Sequence, residues 1–332
     1  MRKLLKFKNV YIAASCATVG KKEYEGPLRG RFDSYDEDEY FGKKDFESAE
    51  SEMARRNLNL LLAKAKSNYD DIDVVVGGDL VNQCTPTCFS LKGTGIPFLG
   101  LYGACSTIVE SIICAAAFIE NGYTSNAVAM ASSHFCTAER QFRFPLEYGS
   151  THTPTSQNTV TGAGSFLLEN KRSNIKLESA VIGRIIDKGV TDANNMGAAM
   201  ATAAADTAER FFINSGISPS EIDLIVTGDL GIEGNAITQE LLFRDGYITN
   251  SNFTDCGILI YDPEKQDTHS GGSGCGCMAS VLASHLIKLM HEDKIKNLLA
   301  IATGALLNTD SVMQKRSIPG IAHAVYLRNI GI

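Results

Sequence analysis

Cys105 stands in Gly103-Ala-Cys-Ser-Thr107, a glycine-initiated turn ahead of a long apolar stretch. A thiol at a helix start faces free backbone N–H groups and the positive end of the helix dipole, which lowers its pKa. The chemistry this offers is a nucleophile or an anion-facing thiol, with Ser106 and Thr107 able to cap the first turn. The same residues also suit a small side chain packed into a tight turn. His134 follows the apolar run Ala127-Val-Ala-Met-Ala-Ser132 and can meet Cys105 if strand and helix ends converge at one sheet edge. Such a Cys–His pair would activate the thiol; the other reading is a loop histidine bonded to backbone.

Asp79 and Asp229 end two matching apolar runs, where a carboxylate binds a ligand or metal or, more commonly, caps the next turn. The stretch 138–148, dense in charge and aromatics, could hold an anion through Arg140 or Arg143, or form a structural ion-pair network. Cys84–Cys88 and Cys275–Cys277 lack the spacing and histidine partners of zinc sites, so no metal is expected. The glycine-rich run Gly271-Gly-Ser-Gly-Cys-Gly-Cys277 lacks the lysine of a P-loop and the spacing of a dinucleotide fingerprint.

The elements that would position these residues are those of a globular chain. Its 332 residues are 44% hydrophobic and 21% charged, which excludes a wholly disordered protein. A net charge of −7 argues against a nucleic-acid binder. No signal peptide and no transmembrane stretch is evident. Nine cysteines without a framework pattern point to a reduced interior.

An internal repeat organises the chain. Asp71-Ile-Asp-Val-Val-Val-Gly-Gly-Asp-Leu80 returns as Glu221-Ile-Asp-Leu-Ile-Val-Thr-Gly-Asp-Leu230, each an acidic start, a β-branched run and a Gly-Asp-Leu end. Both read as buried strands of a parallel sheet, preceded by amphipathic helical stretches at 47–66 and 203–215. Each is followed by a glycine turn, an apolar helix (108–120 and 278–290) and a strand (127–132 and 298–304). Cys105 to Ser132 spans 27 positions and Cys275 to Thr303 spans 28. The expected class is α/β, built from two similar βαβ-rich halves, residues 1–170 and 171–332. Helices apolar nearly all round, one per half, imply a central helical layer between two sheets.

These halves, with a cysteine at the helix start of the first and a glycine turn at the matching place in the second, resemble the thiolase superfamily. Gly26-Pro-Leu28, the two Gly-Asp-Leu copies, Ser132-Ser-His134, Ala138-Glu-Arg-Gln-Phe-Arg143, Thr159-Val-Thr-Gly162, Asn195-Met-Gly197 and Ala302-Thr-Gly-Ala-Leu306 resemble more closely the stage V sporulation protein AD family of spore-forming bacteria. That resemblance implies a thiolase-like layered αβαβα fold and a homodimer. It also implies a role with other stage V A proteins, peripheral to the inner spore membrane on its cytoplasmic side. The ligand implied is dipicolinate (pyridine-2,6-dicarboxylate), free or as its calcium chelate, loaded in sporulation and released in germination; no cofactor is implied.

The implied pocket corresponds to a thiolase active site. Its residues would be Asp79, Cys105, Ser106, Thr107, Ser133, His134, Gly304, Ala305 and His323, with the ring seated where Gly304 and Ala305 leave room and His134 donating to one carboxylate. The family's condensing relatives keep a histidine after the second-half strand, where this chain reads Thr227-Gly-Asp-Leu230, and an asparagine or histidine near the late glycine turn, where it reads 271–277. A nucleophile without its base loses orders of magnitude in rate. The expected protein is therefore a non-catalytic binder. The alternatives are an acyltransferase or condensing enzyme using Cys105, with His134 or His323 as substitute base, and a purely structural subunit.

Overall fold

The computed structural model describes residues 4–142, 152–249 and 251–331. The first half runs β1 (Tyr11–Val19), α1 (Phe46–Ala65), β2 (Val75–Gly78), α2 (Thr85–Leu91), β3 (Phe98–Gly100), α3 (Thr107–Glu120), β4 (Asn126–Ser133), α4 (Phe135–Phe142) and β5 (Gly162–Glu169). The second runs β6 (Ile175–Val181), α5 (Met196–Ser215), β7 (Leu224–Thr227), α6 (Gly231–Arg244), β8 (Phe253–Asp255), α7 (Cys275–Val281), β9 (Asn297–Ala305) and β10 (Gly320–Asn329). Helix α7 continues through a wide turn, Leu282–Leu286, to His291.

The repeat read from the sequence is a repeat of topology. The strand order is β8-β7-β9-β10-β6-β1-β5-β4-β2-β3. Within each set of five, the strands lie in the order third, second, fourth, fifth, first. In the first set β2 runs parallel to β3 and β4, while β5 is antiparallel to β4 and β1. In the second, β7 is parallel to β8 and β9, and β10 is antiparallel to β9 and β6. The two sets are stitched by two antiparallel pairs between β1 and β6, Tyr11 with Lys176 and Ile12 with Ile175.

Strands such as β9, Asn297-Leu-Leu-Ala-Ile-Ala-Thr-Gly-Ala305, are buried along nearly their whole length because helices cover both faces. Helix α1 packs outside β1 and β5, and α5 outside β9 and β10. Between the sets lies α3, touching β2, β4 and β5 of one and β9 and β10 of the other. Ile108 and Ile112 are 0% exposed, Ile113 5% and Ile119 4%, as a central layer requires. One stripe of α3, Glu110, Cys114, Ala117 and Phe118, is half-buried, so the enclosure stops short of the full circumference. In α7, residues 275–281 are all buried, against β1, β4 and β5. The layers are thus helix, sheet, helix, sheet, helix.

Helix ends are set by local chemistry. Asp45 caps α1 by accepting from the Ser48 N–H, and Asn195 caps α5 by accepting from the Ala198 N–H.

Truncating the central layer should be costly. Ile112→Ala removes a fully buried side chain from between two sheets, and equilibrium urea unfolding is expected to show a loss of about 2–5 kcal/mol. A loss well under 1 kcal/mol would mean that the layer is not tightly packed.

Candidate functional site

Two helix starts meet between the halves. Gly103 opens a single turn, Ala104–Ser106, that leads into α3. Ala104 takes a positive φ of 52°, a conformation that costs a non-glycine residue energy and persists only where the surroundings enforce it. Around it, the Ser106 Oγ donates to the Gly103 carbonyl (2.6 Å), the Thr107 Oγ1 donates to the Ala104 carbonyl (2.7 Å), and the Gly103 N–H donates to the Thr107 Oγ1 (3.2 Å). Ser106 and Thr107 therefore brace the turn with their own hydroxyls.

The second half closes on this turn from two sides. The Cys275 Sγ, at the start of α7, donates to the Ala104 carbonyl at 3.0 Å. Gly304 on β9 presses so closely that a Cβ there would lie 2.7 Å from the Gly103 oxygen. The space expected beside Gly304 for a ligand ring is thus taken by the Gly103 carbonyl. Ala305 packs into an apolar cluster with Ala199, Met200, Ala204, Leu230 and Ile318. Gly304 thus serves close packing of the halves, and Ala305 packing within the second half.

Asp229 completes the group. Beyond the end of β7, it is 1% exposed, accepts from the Thr303 Oγ1 at 2.5 Å, and lies beside Cys105 and the Gly274 N–H. Its Oδ2 has no partner at full hydrogen-bond geometry. Burial, opposed by its contacts with Cys105 and Thr303, pushes its pKa up to about 7. Cys105 is part-exposed as a residue, yet the atoms packed round its thiol desolvate it. That burial, with the charge of Asp229 and then of Cys275, drives its pKa well above the usual thiol range. The expected lowering by the helix start is outweighed, first by burial and then by the acid beside the thiol.

The remaining sequence candidates are occupied elsewhere. His134 is fully buried; its Nδ1 accepts from the Cys136 N–H (3.1 Å), so its Nε2 carries the proton that meets the Glu39 carbonyl (2.8 Å). Burial lowers its pKa. With both ring nitrogens engaged, it is the backbone-bonded loop histidine of the alternative reading, and has no free donor for a ligand. His323 accepts from the Gly183 N–H through Nδ1 (3.1 Å), and burial lowers its pKa to about 4. Asp79 accepts from the Val81 N–H, the Thr87 N–H and the Thr87 Oγ1 at 2.6–2.9 Å, so it caps α2. Ser133 donates to the Val160 carbonyl and accepts from the Gly276 N–H, pinning the start of α7 to β4. Arg140 pairs with Glu47, the structural ion pair of the two readings, and Arg143 lies outside the described residues.

Asp79 and Asp229 occupy matching places in the repeat but do different work, one capping a helix and the other facing a thiol. The signal that could have found the second was the alignment of its Gly-Asp-Leu with the histidine position of condensing relatives. A separate groove of about 1010 Å³, lined by Ile213, Ile217, Pro219, Tyr247 and Ile248 among others, sits at the far ends of β7 and β8. Asp223 is its one carboxylate among the described residues, and it contains none of the candidate site residues.

The model of the family described as stage V sporulation protein AD matches residues 2–328. The chain is 39% identical over 322 residues to stage V sporulation protein AD of Bacillus subtilis (strain 168), covering 97% of this chain and 95% of that one. The chain belongs to the stage V sporulation protein AD family. Among solved structures it is similar to 3-oxoacyl-[acyl-carrier-protein] synthase III from Aquifex aeolicus VF5, at 14% identity and TM-score 0.60, over 96% of this chain and 99% of that one. The corresponding synthase of Pseudomonas aeruginosa PAO1 matches at 13% identity and TM-score 0.57, over 98% and 99%. An OleA variant from Xanthomonas campestris matches at 13% and 0.61, over 97% of both chains. These likenesses show a thiolase-like fold for this family member, and at such identities the fold alone.

The buried acids give this family member a pH signature. Glu50, which accepts from Ser132 and Thr137, is pushed up to about 8, and Glu23 and Asp229 to about 7, each mainly by burial. In that window the native state holds protons that the unfolded chain has released, so stability falls as pH rises through these values. The buried His134 and His323 act in the opposite sense, but only below their ordinary value of 6.5. The urea midpoint is therefore expected to drop between about pH 6.5 and 8.5; a flat or rising midpoint would contradict the burial of these carboxyls as acids.

Proposed function

We propose that this chain is a dipicolinate-binding protein of spores, non-catalytic, with the ligand held at the start of α3 beside Cys105. The observation that carries the reading is the ionisable partner beside Cys105: an acid, Asp229, which, unlike a histidine, cannot become a cation that stabilises a thiolate. A carboxylate raises the thiol's pKa and disfavours the thiolate on which acyl transfer depends. What the turn retains is a part-open helix start, and backbone N–H groups with the helix dipole behind them suit an anionic carboxylate. Membership of the sporulation family and the absence of any helix long and apolar enough to cross a membrane, among the described residues, support a peripheral partner of other stage V A proteins.

Isothermal titration with dipicolinate, with and without calcium, tests the reading. Saturable binding that is lost when Cys105→Phe fills the helix start supports it, and no binding to folded protein refutes it. His134→Ala should leave affinity unchanged while lowering stability by about 1–3 kcal/mol, because it strips partners from a buried carbonyl and N–H.

Acyl transfer at Cys105 is the second reading, favoured by the Ala104 turn, whose positive φ sets the cysteine at a strained corner. Incubation with acetyl and malonyl thioesters is expected to give no condensation and no stable adduct at Cys105. Turnover near or above ~1 per second would establish the second reading instead.

The same proposal includes a homodimer formed through β3, an edge strand with unpaired backbone groups on one side. Leu99 is 44% exposed there, and Tyr102, just beyond the strand, 52%. Leu99→Lys should yield a folded monomer in sedimentation velocity; a wild-type monomer at micromolar concentration would exclude this contact.

A further inference from the structure

Asp229 poses a charge problem for the proposed site. A dipicolinate dianion brought to the start of α3 comes up against a carboxyl group that is 1% exposed and borders Cys105 and the Gly274 N–H. One of its oxygens is taken: Oδ1 accepts from Thr303. The other, Oδ2, is buried with no partner at full hydrogen-bond geometry, the Cys105 thiol and the Gly274 N–H lying beside the carboxyl. An ionised Oδ2 facing an anionic oxygen is repulsive, and in a desolvated place the repulsion is strong. A protonated Oδ2 has the opposite character, since a carboxylic acid kept neutral by its surroundings donates a hydrogen bond.

We propose that Asp229 takes up one proton from solvent as the site fills and donates it, from Oδ2, in a hydrogen bond to a carboxylate oxygen of the ligand. This inference rests on the dipicolinate reading and adds that binding is proton-linked. No covalent bond to the ligand forms or breaks; the proton stays on Asp229 and returns to solvent on release.

The groups facing Asp229 agree with this assignment. Cys105 comes from the turn before α3, Cys275 and Cys277 from α7, and Cys256 follows β8. All four thiols are pushed well above their ordinary range by burial, so they stay neutral near pH 8. Asp255 accepts from Thr227 Oγ1 and from the N–H groups of Leu230, Gly231 and Gly257, each of which can only donate or already does so there. It is therefore held as an anion above about pH 6 and favours a proton on its neighbour. Among the described residues, the groups that act most strongly on Asp229 include no lysine, arginine or histidine. Asp229 is the one group of this set that changes charge near neutrality.

The experiment is calorimetric titration of the full chain with dipicolinate in two buffers of different ionisation enthalpy, between about pH 7.5 and 9, with chelator present and again with calcium. Expected is uptake of close to one proton per ligand at the upper end. Affinity should fall about tenfold per pH unit, the slope of a single linked proton. In Asp229→Asn, whose amide donates at any pH, binding should persist with no proton uptake and no slope. Binding by the wild type without proton uptake overturns this inference and leaves the dipicolinate reading standing. So does affinity that rises with pH and depends on calcium, which would make Oδ2 an ionised calcium ligand. No binding at any pH, with or without calcium, overturns the dipicolinate reading itself. If Asp229→Asn fails to fold, the proton count on the wild type decides alone.

Discussion

The close approach of two glycine-opened turns, one from each half, governs this molecule. The Gly103 carbonyl fills the space that a side chain at position 304 would need, and the Cys275 thiol donates to the neighbouring Ala104 carbonyl. Neither contact exists within a single half. Ala104 holds a left-handed conformation at this seam, so the packing of the halves is also what sets Cys105 at its corner. The buried helix α3, wedged between both sets of strands, fixes the distance across which the turns meet.

At that seam the sign of the local charge decides what the thiol can do. A helix start favours an anion, and a nearby base or cation would complete the activation of Cys105. This chain supplies Asp229, with Asp255 behind it, and no cation is among the groups acting most strongly on the thiol, so burial and the local charge both bias Cys105 toward a neutral thiol. A site of this kind has hydrogen-bond donors and little nucleophilicity. On the proposed reading, that combination serves to hold a small dicarboxylate.

Much of the architecture was legible because the repeat is one of hydrophobic pattern. The β-branched runs ending in Gly-Asp-Leu, the apolar helices and the 27- and 28-position spacings all follow from burial on both faces of a parallel sheet, which leaves a periodic trace. The seam was partly legible: Cys105, Thr107 and Gly304 meet there, since glycine turns and helix starts mark themselves. Their partners were not, because two identical Gly-Asp-Leu tripeptides diverge only through tertiary neighbours. Asp79 finds Thr87 on its own next helix, whereas Asp229 finds Thr303 from a distant strand. His134 misled for the same reason. Its place after β4 points to the sheet edge, but a carbonyl from residue 39, nearly a hundred positions away, captures its ring.

Burial first, and then the acid beside it, hold the Cys105 thiol at the seam in its neutral form. The pH dependence of iodoacetamide alkylation, followed on the Cys105 peptide by mass spectrometry, tests this directly. Slow labelling is expected at neutral pH, with a rate still climbing at about pH 9, the behaviour of a thiol held above its ordinary value of 9.0. A rate that reaches its plateau at or below neutral pH would show a thiolate stabilised in the native protein and would contradict the account.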